Sequence, residues 1–224
     1  MAITKCVSPM SDPAMRKLLQ DQAMSQFYLP MRAPQQITPG NWDAFRDAVR
    51  DRVGNQPIVY LEFGVAMGNS MRAMVSRFTH PEARFYGFDS FDGLPEGWTP
   101  LSTVNMPVGA FSSQGRVPDF GDCRVTLVKG WFQNTVPAFL SGGHVGGPRP
   151  HLVHFDADLY SSTLFLLSAF WHNPLEYYFV MDEFTYDEIV ALRDFALAHP
   201  VEIDFIAECG DKLFGHLRRV PFTL

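Results

Sequence analysis

The pattern of apolar and polar positions divides the chain into two parts. Up to about residue 55, apolar residues recur at the spacing of amphipathic helices. One helix is predicted from Asp12 to Tyr28, because Asp followed by Pro is typical of a helix N-terminus. A second is predicted from Asn41 to Val53, after a stretch broken by three prolines. We expect residues 1–55 to form a helical cap that contacts substrate or another subunit, beside a main domain at 56–224.

From Ile58 onward, short apolar runs alternate with helical segments. Strands are predicted at Ile58–Phe63, Arg84–Phe88, Arg124–Lys129, Leu152–Phe155 and Glu176–Met181. Helices are predicted at Asn69–Phe78, Phe132–Leu140, Ser161–His172 and Asp187–Ala198. Nearly continuous apolar strands separated by helices are typical of a parallel sheet covered on both faces. The pattern therefore predicts an α/β fold.

The C-terminal end of the chain and one long loop depart from this alternation. Val201–Glu208 and Leu213–Val220 have the pattern of strands, and the Cys-Gly-Asp-Lys sequence between them is typical of a hairpin. The sheet is therefore expected to contain an antiparallel strand near its C-terminal end. The segment from Asp89 to Asp122 is longer than an ordinary connection between a strand and a helix, which indicates a functional loop.

Composition excludes several classes of protein. With 46% hydrophobic residues among 224, the chain has enough apolar material for the core of one α/β domain. It carries 18 basic and 24 acidic residues, a net charge of −6, and lacks the basic cluster that nucleic-acid binding needs. No apolar run approaches the roughly 20 residues that span a bilayer. We therefore expect neither nucleic acid nor a membrane as a partner.

The cysteines and the first residues bear on the compartment. Cys6, Cys123 and Cys209 form no CxxC pair and no even framework, so free thiols in a reducing compartment are expected. The first fifteen or so residues lack the apolar core of a secretory signal. Both features favour a cytoplasmic location.

The first candidate site follows the first parallel strand, in the segment from Glu62 to Ser70. Glycines at a turn between strand and helix let a ligand approach the backbone, and the helix N-terminus offers free N–H groups. Gly64 and Gly68 lack the middle glycine of the dinucleotide-binding pattern, and no Gly-Lys-Ser/Thr follows. A ligand without a pyrophosphate is favoured, such as S-adenosylmethionine (SAM). A tight turn that binds nothing is the alternative.

Asp89 strengthens the cofactor interpretation. It lies at the end of the second strand, where a carboxylate can accept hydrogen bonds from both hydroxyls of a ribose. This position suits SAM or a nicotinamide cofactor. The alternative is that Asp89 caps the next segment.

Four acidic residues form the second candidate site. Asp156 and Asp158 follow the fourth strand, and Asp182 and Glu183 follow the next, so they are expected to meet at the carboxyl edge of the sheet. Carboxylates this close repel one another unless a cation or a proton intervenes. Oxygen ligands select Mg²⁺, Mn²⁺ or Ca²⁺. Ordinary helix caps are the alternative, and His154 is expected to be a packed core residue.

Five segments together resemble the macrocin O-methyltransferase family: LEFGVAMGNS, YGFDSFDGLPEGW, VKGWFQNTVP, HFDADLYSST and MDEF. Its members are SAM-dependent, Mg²⁺-requiring enzymes that methylate sugar hydroxyls on antibiotics and related natural products. The resemblance extends over residues 58–184. It implies a Rossmann-like class I methyltransferase fold: a mostly parallel seven-stranded sheet with a C-terminal antiparallel hairpin and helices on both faces.

The resemblance also implies roles for individual residues. The residues implied in SAM binding are Glu62, Gly64, Gly68, Ser70, Asp89, Gly130, Trp131 and Asp156. Asp156, Asp182 and Glu183 match metal-binding positions, and Asp158 matches a general base. The chain departs from the family pattern at Glu183, where a second aspartate is common, and at His172–Leu175, where the family has a glycine pair.

These features predict an O-methyltransferase that uses SAM and Mg²⁺, or Mn²⁺ or Ca²⁺, on a hydroxylated small molecule such as a sugar or another natural product. On this interpretation we expect a homodimer or a larger homo-oligomer. Two alternatives remain open. One is a SAM-binding subunit without catalysis, and the other is a nicotinamide-dependent dehydrogenase, for which the glycine pattern is wrong. A sugar, a catechol-like ring and a polyketide hydroxyl all satisfy the requirement for an acceptor oxygen.

Overall fold

The N-terminal helices begin where capping side chains satisfy their first backbone N–H groups. A computed structural model describes residues 12–33, 35–101, 104–174 and 176–220. In it α1 (Pro13–Gln22) continues as a π-helical turn (Ala23–Tyr28) and a 3₁₀ turn (Leu29–Met31). The Asp12 carboxylate accepts hydrogen bonds from the first N–H groups of α1, and the Asn41 side chain does the same for α2 (Trp42–Val53). Both predicted helices are present.

Ten strands and four further helices lie in the described part of the chain, and the apolar pattern predicted all four helices and seven of the strands, but not β1, β4 or β5. The strands are β1 (Gln35–Gln36), β2 (Val59–Phe63), β3 (Arg84–Asp89), β4 (Trp98–Leu101), β5 (Val104–Met106), β6 (Val125–Lys129), β7 (His151–Phe155), β8 (Glu176–Met181), β9 (Val201–Cys209) and β10 (Lys212–Arg219). The helices are α3 (Asn69–Arg77), α4 (Phe132–Ser141), α5 (Tyr160–Ala169) and α6 (Ile189–Ala198), the last preceded by a π-helical turn (Phe184–Glu188).

Eight of these strands form one sheet in the order β1-β9-β10-β8-β7-β2-β3-β6. The strands from β8 to β6 are parallel, and β10 runs antiparallel to both β8 and β9. The C-terminal hairpin was therefore predicted correctly. Because the parallel strands share a direction, the ends of β2, β3, β7 and β8 lie at one edge of the sheet.

Two features of the sheet differ from the prediction. The main sheet has eight strands rather than seven, because Gln35 and Gln36 pair in parallel with Ala207 and Glu208. A strand of two residues between prolines is too short to show a period. The segment from Asp89 to Asp122 contains a small separate sheet of β4 and β5.

The two faces of the sheet are covered by different helices. Alternation along β2 sends Leu61 to a core that includes residues of α5 and α6, such as Leu166. Tyr60 points to the other face, where α2 and α3 contribute Phe45 and Met71. This accounts for strands that are apolar at nearly every position. Among the helices described, none is both long enough and apolar enough to cross a membrane.

The N-terminal helix contacts the segment that follows β8. Arg16 Nε lies 3.7 Å from the Asp187 carboxylate, and Gln20 Nε2 donates a hydrogen bond of 2.9 Å to the same group. All three side chains are buried. The division into a cap at 1–55 and a domain at 56–224 stays a prediction.

Candidate functional site

The loop between β2 and α3 passes directly against the end of β7. Gly64 has a φ of +97°, and a Cβ atom there would lie 1.7 Å from the backbone oxygen of Asp156. The neighbouring backbone is tied by a hydrogen bond of 2.9 Å from the Asp156 N–H to the Phe63 oxygen. Only glycine fits this approach. Gly68, with a φ of +79°, immediately precedes α3.

The Asp89 carboxylate holds this loop in place. Its Oδ2 accepts hydrogen bonds from the backbone N–H groups of Val65 at 2.9 Å and Ala66 at 2.7 Å. Its Oδ1 accepts one from Phe91 N–H at 2.6 Å. An ionised carboxylate offers about four acceptor positions, so capacity remains for a ribose hydroxyl. The role of Asp89 in organising the loop was missed by the sequence analysis.

One cavity of about 210 Å³ opens at the carboxyl edge of the sheet. Of the residues predicted to form the site, it is lined by Gly64, Asp89, Gly130, Trp131, Asp156, Asp158 and Glu183. Gly93, Leu94 and Phe111 from the long loop complete its wall. The structure therefore brings most of the cofactor residues and the acidic residues to one space.

Four predicted residues do not line this cavity: Glu62, Gly68, Ser70 and Asp182. Glu62 is fully buried, and its carboxylate accepts hydrogen bonds from Ser70 Oγ at 2.8 Å and from Tyr60 Oη at 2.5 Å. Ser70 and Asp182 instead border a much smaller void beside His154. Any contact between these residues and a cofactor stays a prediction.

Asp156, Asp158 and Glu183 form a tight acidic cluster. One carboxylate oxygen of each lies within 4.8 Å of the other two. Burial raises the pKa of Asp158 to about 7, and burial with repulsion from Asp182 and Asp158 raises the pKa of Glu183 to about 8. Glu183 Oε2 is buried and has no hydrogen-bond partner. The cluster has the oxygen ligands and the unused acceptor atom that fit a hard divalent cation.

Asp182 lies in a different environment. It forms an ion pair with Lys212, and His154 Nε2 lies 3.4 Å from its Oδ1. Although burial opposes ionisation, these two cationic neighbours lower the pKa of Asp182 to about 2. One oxygen of Asp182 lies within 4.8 Å of a ring nitrogen of His154 and of a carboxylate oxygen of Asp156. Both Asp182 oxygens already have a partner, Lys212 on one and His154 on the other.

His154 and Glu188 are buried residues near the acidic cluster, and the sequence analysis did not predict their polar contacts. Burial by itself would lower the pKa of His154, but hydrogen bonding to Asp182 and Glu62 outweighs burial and raises it to about 10. His154 is therefore buried as predicted, yet it bridges two carboxylates. Glu188 is fully buried, accepts a hydrogen bond from Glu183 N–H at 3.2 Å, and keeps its other oxygen without a partner.

A second cavity, of about 390 Å³, lies beside the first. The two cavities are adjacent, because neighbouring residues in the chain line one and the other. Pro95 lines the first and Glu96 the second, and likewise Asp158 lines the first and Leu159 the second. Arg16 from α1 also contributes to the second cavity, and its Nε is buried without a hydrogen-bond partner. Most of the residues that line the second cavity are polar or charged, although Pro13, Gly97 and Leu159 also contribute to its wall.

Comparisons with known proteins identify the fold. No family model and no curated protein matches the chain. Among solved structures it is similar to the O-methyltransferase NovP, with 22% identity over 80% of this chain and 79% of that one and a TM-score of 0.52. It is also similar to the O-methyltransferase TomG from Streptomyces achromogenes, involved in tomaymycin synthesis and solved in complex with SAM. That match has 16% identity over 96% of this chain and 92% of that one, and a TM-score of 0.51.

The chain has the Rossmann-like methyltransferase fold. The predicted fold class is confirmed, with the eighth strand as a correction. At these identities the likeness establishes the architecture alone. Membership of the macrocin O-methyltransferase family stays a prediction.

Proposed function

We propose that the protein is a SAM-dependent O-methyltransferase. The observation that carries this proposal is that Gly64, Asp89 and Trp131 line the same cavity as Asp156 and Asp158. In open α/β folds, ligands bind at this edge of the sheet. The fold is shared with NovP and TomG, both O-methyltransferases. The residues proposed to bind the cofactor and the proposed proton acceptor thus line one cavity.

The chain's own residues supply binding and proton transfer. Asp89 presents a carboxylate with remaining capacity for the ribose, and Trp131 offers an indole ring at the rim for the adenine. SAM bound there would supply a methyl group on a sulfonium, from which the neutral thioether S-adenosylhomocysteine is a good leaving group. Asp158 would accept the proton of the acceptor hydroxyl. Burial raises the pKa of Asp158 above that of an exposed aspartate, which strengthens it as a base, and a cation bound beside it would lower this pKa again.

Metal assistance is the second element of the proposal. Asp156 and Glu183 would hold a divalent cation, with Asp158 beside them, because their oxygens are close together and one has no partner. A bound Mg²⁺ lowers the pKa of an acceptor hydroxyl and helps to orient it. Asp182, the third ligand that the family resemblance implies, is paired with Lys212.

The acceptor is proposed to be a hydroxylated small molecule, a sugar or another natural product. The second cavity, beside Asp158, provides polar groups next to the proposed reaction centre. A cytoplasmic location and a homo-oligomeric state are kept as predictions.

Calorimetric titration with SAM, S-adenosylhomocysteine and NAD tests the cofactor. We expect the first two to bind and NAD to give no heat of binding. Binding of NAD alone would instead favour the dehydrogenase alternative.

A transfer assay with methyl-labelled SAM then tests catalysis on sugars, catechols and polyketide alcohols. Mg²⁺ is present, removed by EDTA and dialysis, and restored. We expect activity to fall on removal and to return with the ion. Full activity after removal would refute metal assistance, and SAM binding without transfer to any acceptor would favour a non-catalytic subunit.

A further inference from the structure

The Arg16 guanidinium on α1 is a buried cation with unused hydrogen-bond donors. Only 8% of the residue is exposed, Nε is buried without a partner, and no described residue accepts a hydrogen bond from the rest of the guanidinium. Its counter-ion is Asp187, whose Oδ1 lies 3.7 Å from Nε, beyond hydrogen-bonding distance. That oxygen instead accepts a hydrogen bond of 2.9 Å from Gln20 Nε2. Because buried donors are nearly always paired, these donors are available to a ligand.

The unused donors border the second cavity. Arg16 lines this space of about 390 Å³ together with Glu96, Thr99 and Asn105 from the long loop and Ser161 from the first turn of α5. Ligand sites are concave places where a few polar groups from separate segments converge. The cavity adjoins the one that contains the proposed base, so a molecule bound in it would lie next to the proposed reaction centre.

The wall of this cavity offers both donors and acceptors. Arg16 can only donate, the Glu96 carboxylate can only accept, and the hydroxyls of Thr99 and Ser161 can do both. A hydroxyl also donates and accepts, so a neutral polyhydroxylated group can satisfy every one of these side chains. A carboxylate could only accept, and it would meet the charges of Glu96 and Asp187 against that of one arginine. An apolar ring would leave the guanidinium unpaired.

We propose that Arg16 is a specificity-determining residue, which donates hydrogen bonds to a neutral, polyhydroxylated part of the acceptor bound in the second cavity. The inference rests on the methyltransferase function proposed above, and it places another hydroxyl of the same molecule beside Asp158. A site that pairs a buried donor with a substrate hydroxyl discriminates strongly against analogues that lack this hydroxyl. On this assignment α1 is part of the acceptor site.

Two monosaccharide probes of similar size test the assignment. Methyl glucoside is neutral, and methyl glucuronide carries a carboxylate in place of one hydroxymethyl group. Each is titrated by NMR into the protein saturated with S-adenosylhomocysteine. We expect the native protein to bind the glucoside at least about tenfold more tightly than the glucuronide, because the carboxylate is repelled. Arg16→Gln is expected to bind the glucoside about 10- to 100-fold more weakly, as for the loss of a hydrogen bond to a charged group.

Lys17→Gln is the matched control. It removes the same charge from the next residue of α1, which is exposed and does not line the cavity. Its affinity for the glucoside should stay within about twofold of native, because exposed charges contribute little. The affinity for S-adenosylhomocysteine should be unchanged in both variants. If Arg16 were merely structural, Arg16→Gln would lower stability and cofactor affinity and leave the preference for the glucoside intact.

Asn105→Ala provides a second variant if Arg16→Gln fails to fold. Asn105 is exposed and lines the opposite wall, so its loss should weaken glucoside binding at least about threefold in a stable protein. The inference is overturned if the glucoside binds the folded variants as tightly as the native protein, if the glucuronide binds at least as tightly as the glucoside, or if neither probe binds. Cofactor binding without probe binding overturns this inference alone, whereas a native protein that binds neither SAM nor S-adenosylhomocysteine overturns the proposed function.

Discussion

Replacing Gly64 by alanine tests the close contact between the loop that follows β2 and the end of β7. The added Cβ would meet the Asp156 backbone oxygen at 1.7 Å, whereas side-chain atoms need at least 3.0 Å from such a neighbour. The ends of β2 and β7 would have to separate, although Phe63 and Phe155 pair at this point in the ladder. The separation also breaks the hydrogen bond of 2.9 Å between Asp156 N–H and the Phe63 oxygen.

The expected loss of stability follows from three contributions. Backbone strain in an alanine at a φ of +97° lowers the free energy of unfolding by about 1–2 kcal/mol. Forced displacement in a packed region adds about 1–3 kcal/mol, and the lost hydrogen bond adds about 1 kcal/mol. We therefore expect Gly64→Ala to lower the free energy of unfolding by about 3–6 kcal/mol, and to weaken SAM binding because the loop is displaced.

Gly40→Ala is the matched control for this experiment. Gly40 also has a positive φ, of +84°, but a Cβ there would have no neighbour within 4 Å. In Gly40→Ala only the backbone strain should lower the free energy of unfolding, by about 1–2 kcal/mol. Both variants are compared by urea unfolding and by SAM titration. Equal losses in the two variants, or unchanged SAM affinity in a folded Gly64→Ala protein, would refute the reasoning.

Three further predictions concern catalysis, acid stability and the long loop. Asparagine tolerates the φ of +58° at position 158, so Asp158→Asn should fold. We expect this variant to keep SAM and Mn²⁺ binding while its turnover falls about 10²–10⁴-fold. Turnover within about threefold of native would exclude Asp158 as the base. His151 is buried, and burial lowers its pKa to about 4, so stability should fall as pH drops from about 6.5 towards 4. Urea unfolding should show a loss of about 1–2 kcal/mol at pH 5 that His151→Gln removes, and an identical pH dependence in that variant would contradict the assignment. Because Gly93, Leu94 and Phe111 border the cofactor cavity, S-adenosylhomocysteine should slow proteolysis between Asp92 and Asp122, whereas an equal rate with and without it would argue against closure.

The acidic cluster shows how far sequence reasoning could reach. The apolar periods predicted which segments are strands, and parallel strands place their carboxyl ends at one edge. That rule was sufficient to expect Asp156 near Glu183, which the structure brings within 4.8 Å of each other. The same rule could not predict the ion pair between Lys212 and Asp182, because the sequence shows only that Lys212 lies in the turn of the hairpin. Its partner depends on the register between β8 and β10, a contact between residues 30 positions apart.

The sequence by itself determined the α/β class, the order of the helices and of seven of the strands, and the edge of the sheet at which the acidic residues collect. These properties follow from local signals, namely the period of apolar residues and the turn chemistry of glycine, proline and aspartate. Tertiary structure alone decided that β1 joins the sheet, that Asp89 organises the glycine loop, and that Arg16 reaches Asp187. Each of these depends on packing between segments distant in the chain, where the partner of a polar group is chosen by geometry and burial, and no local pattern encodes that choice.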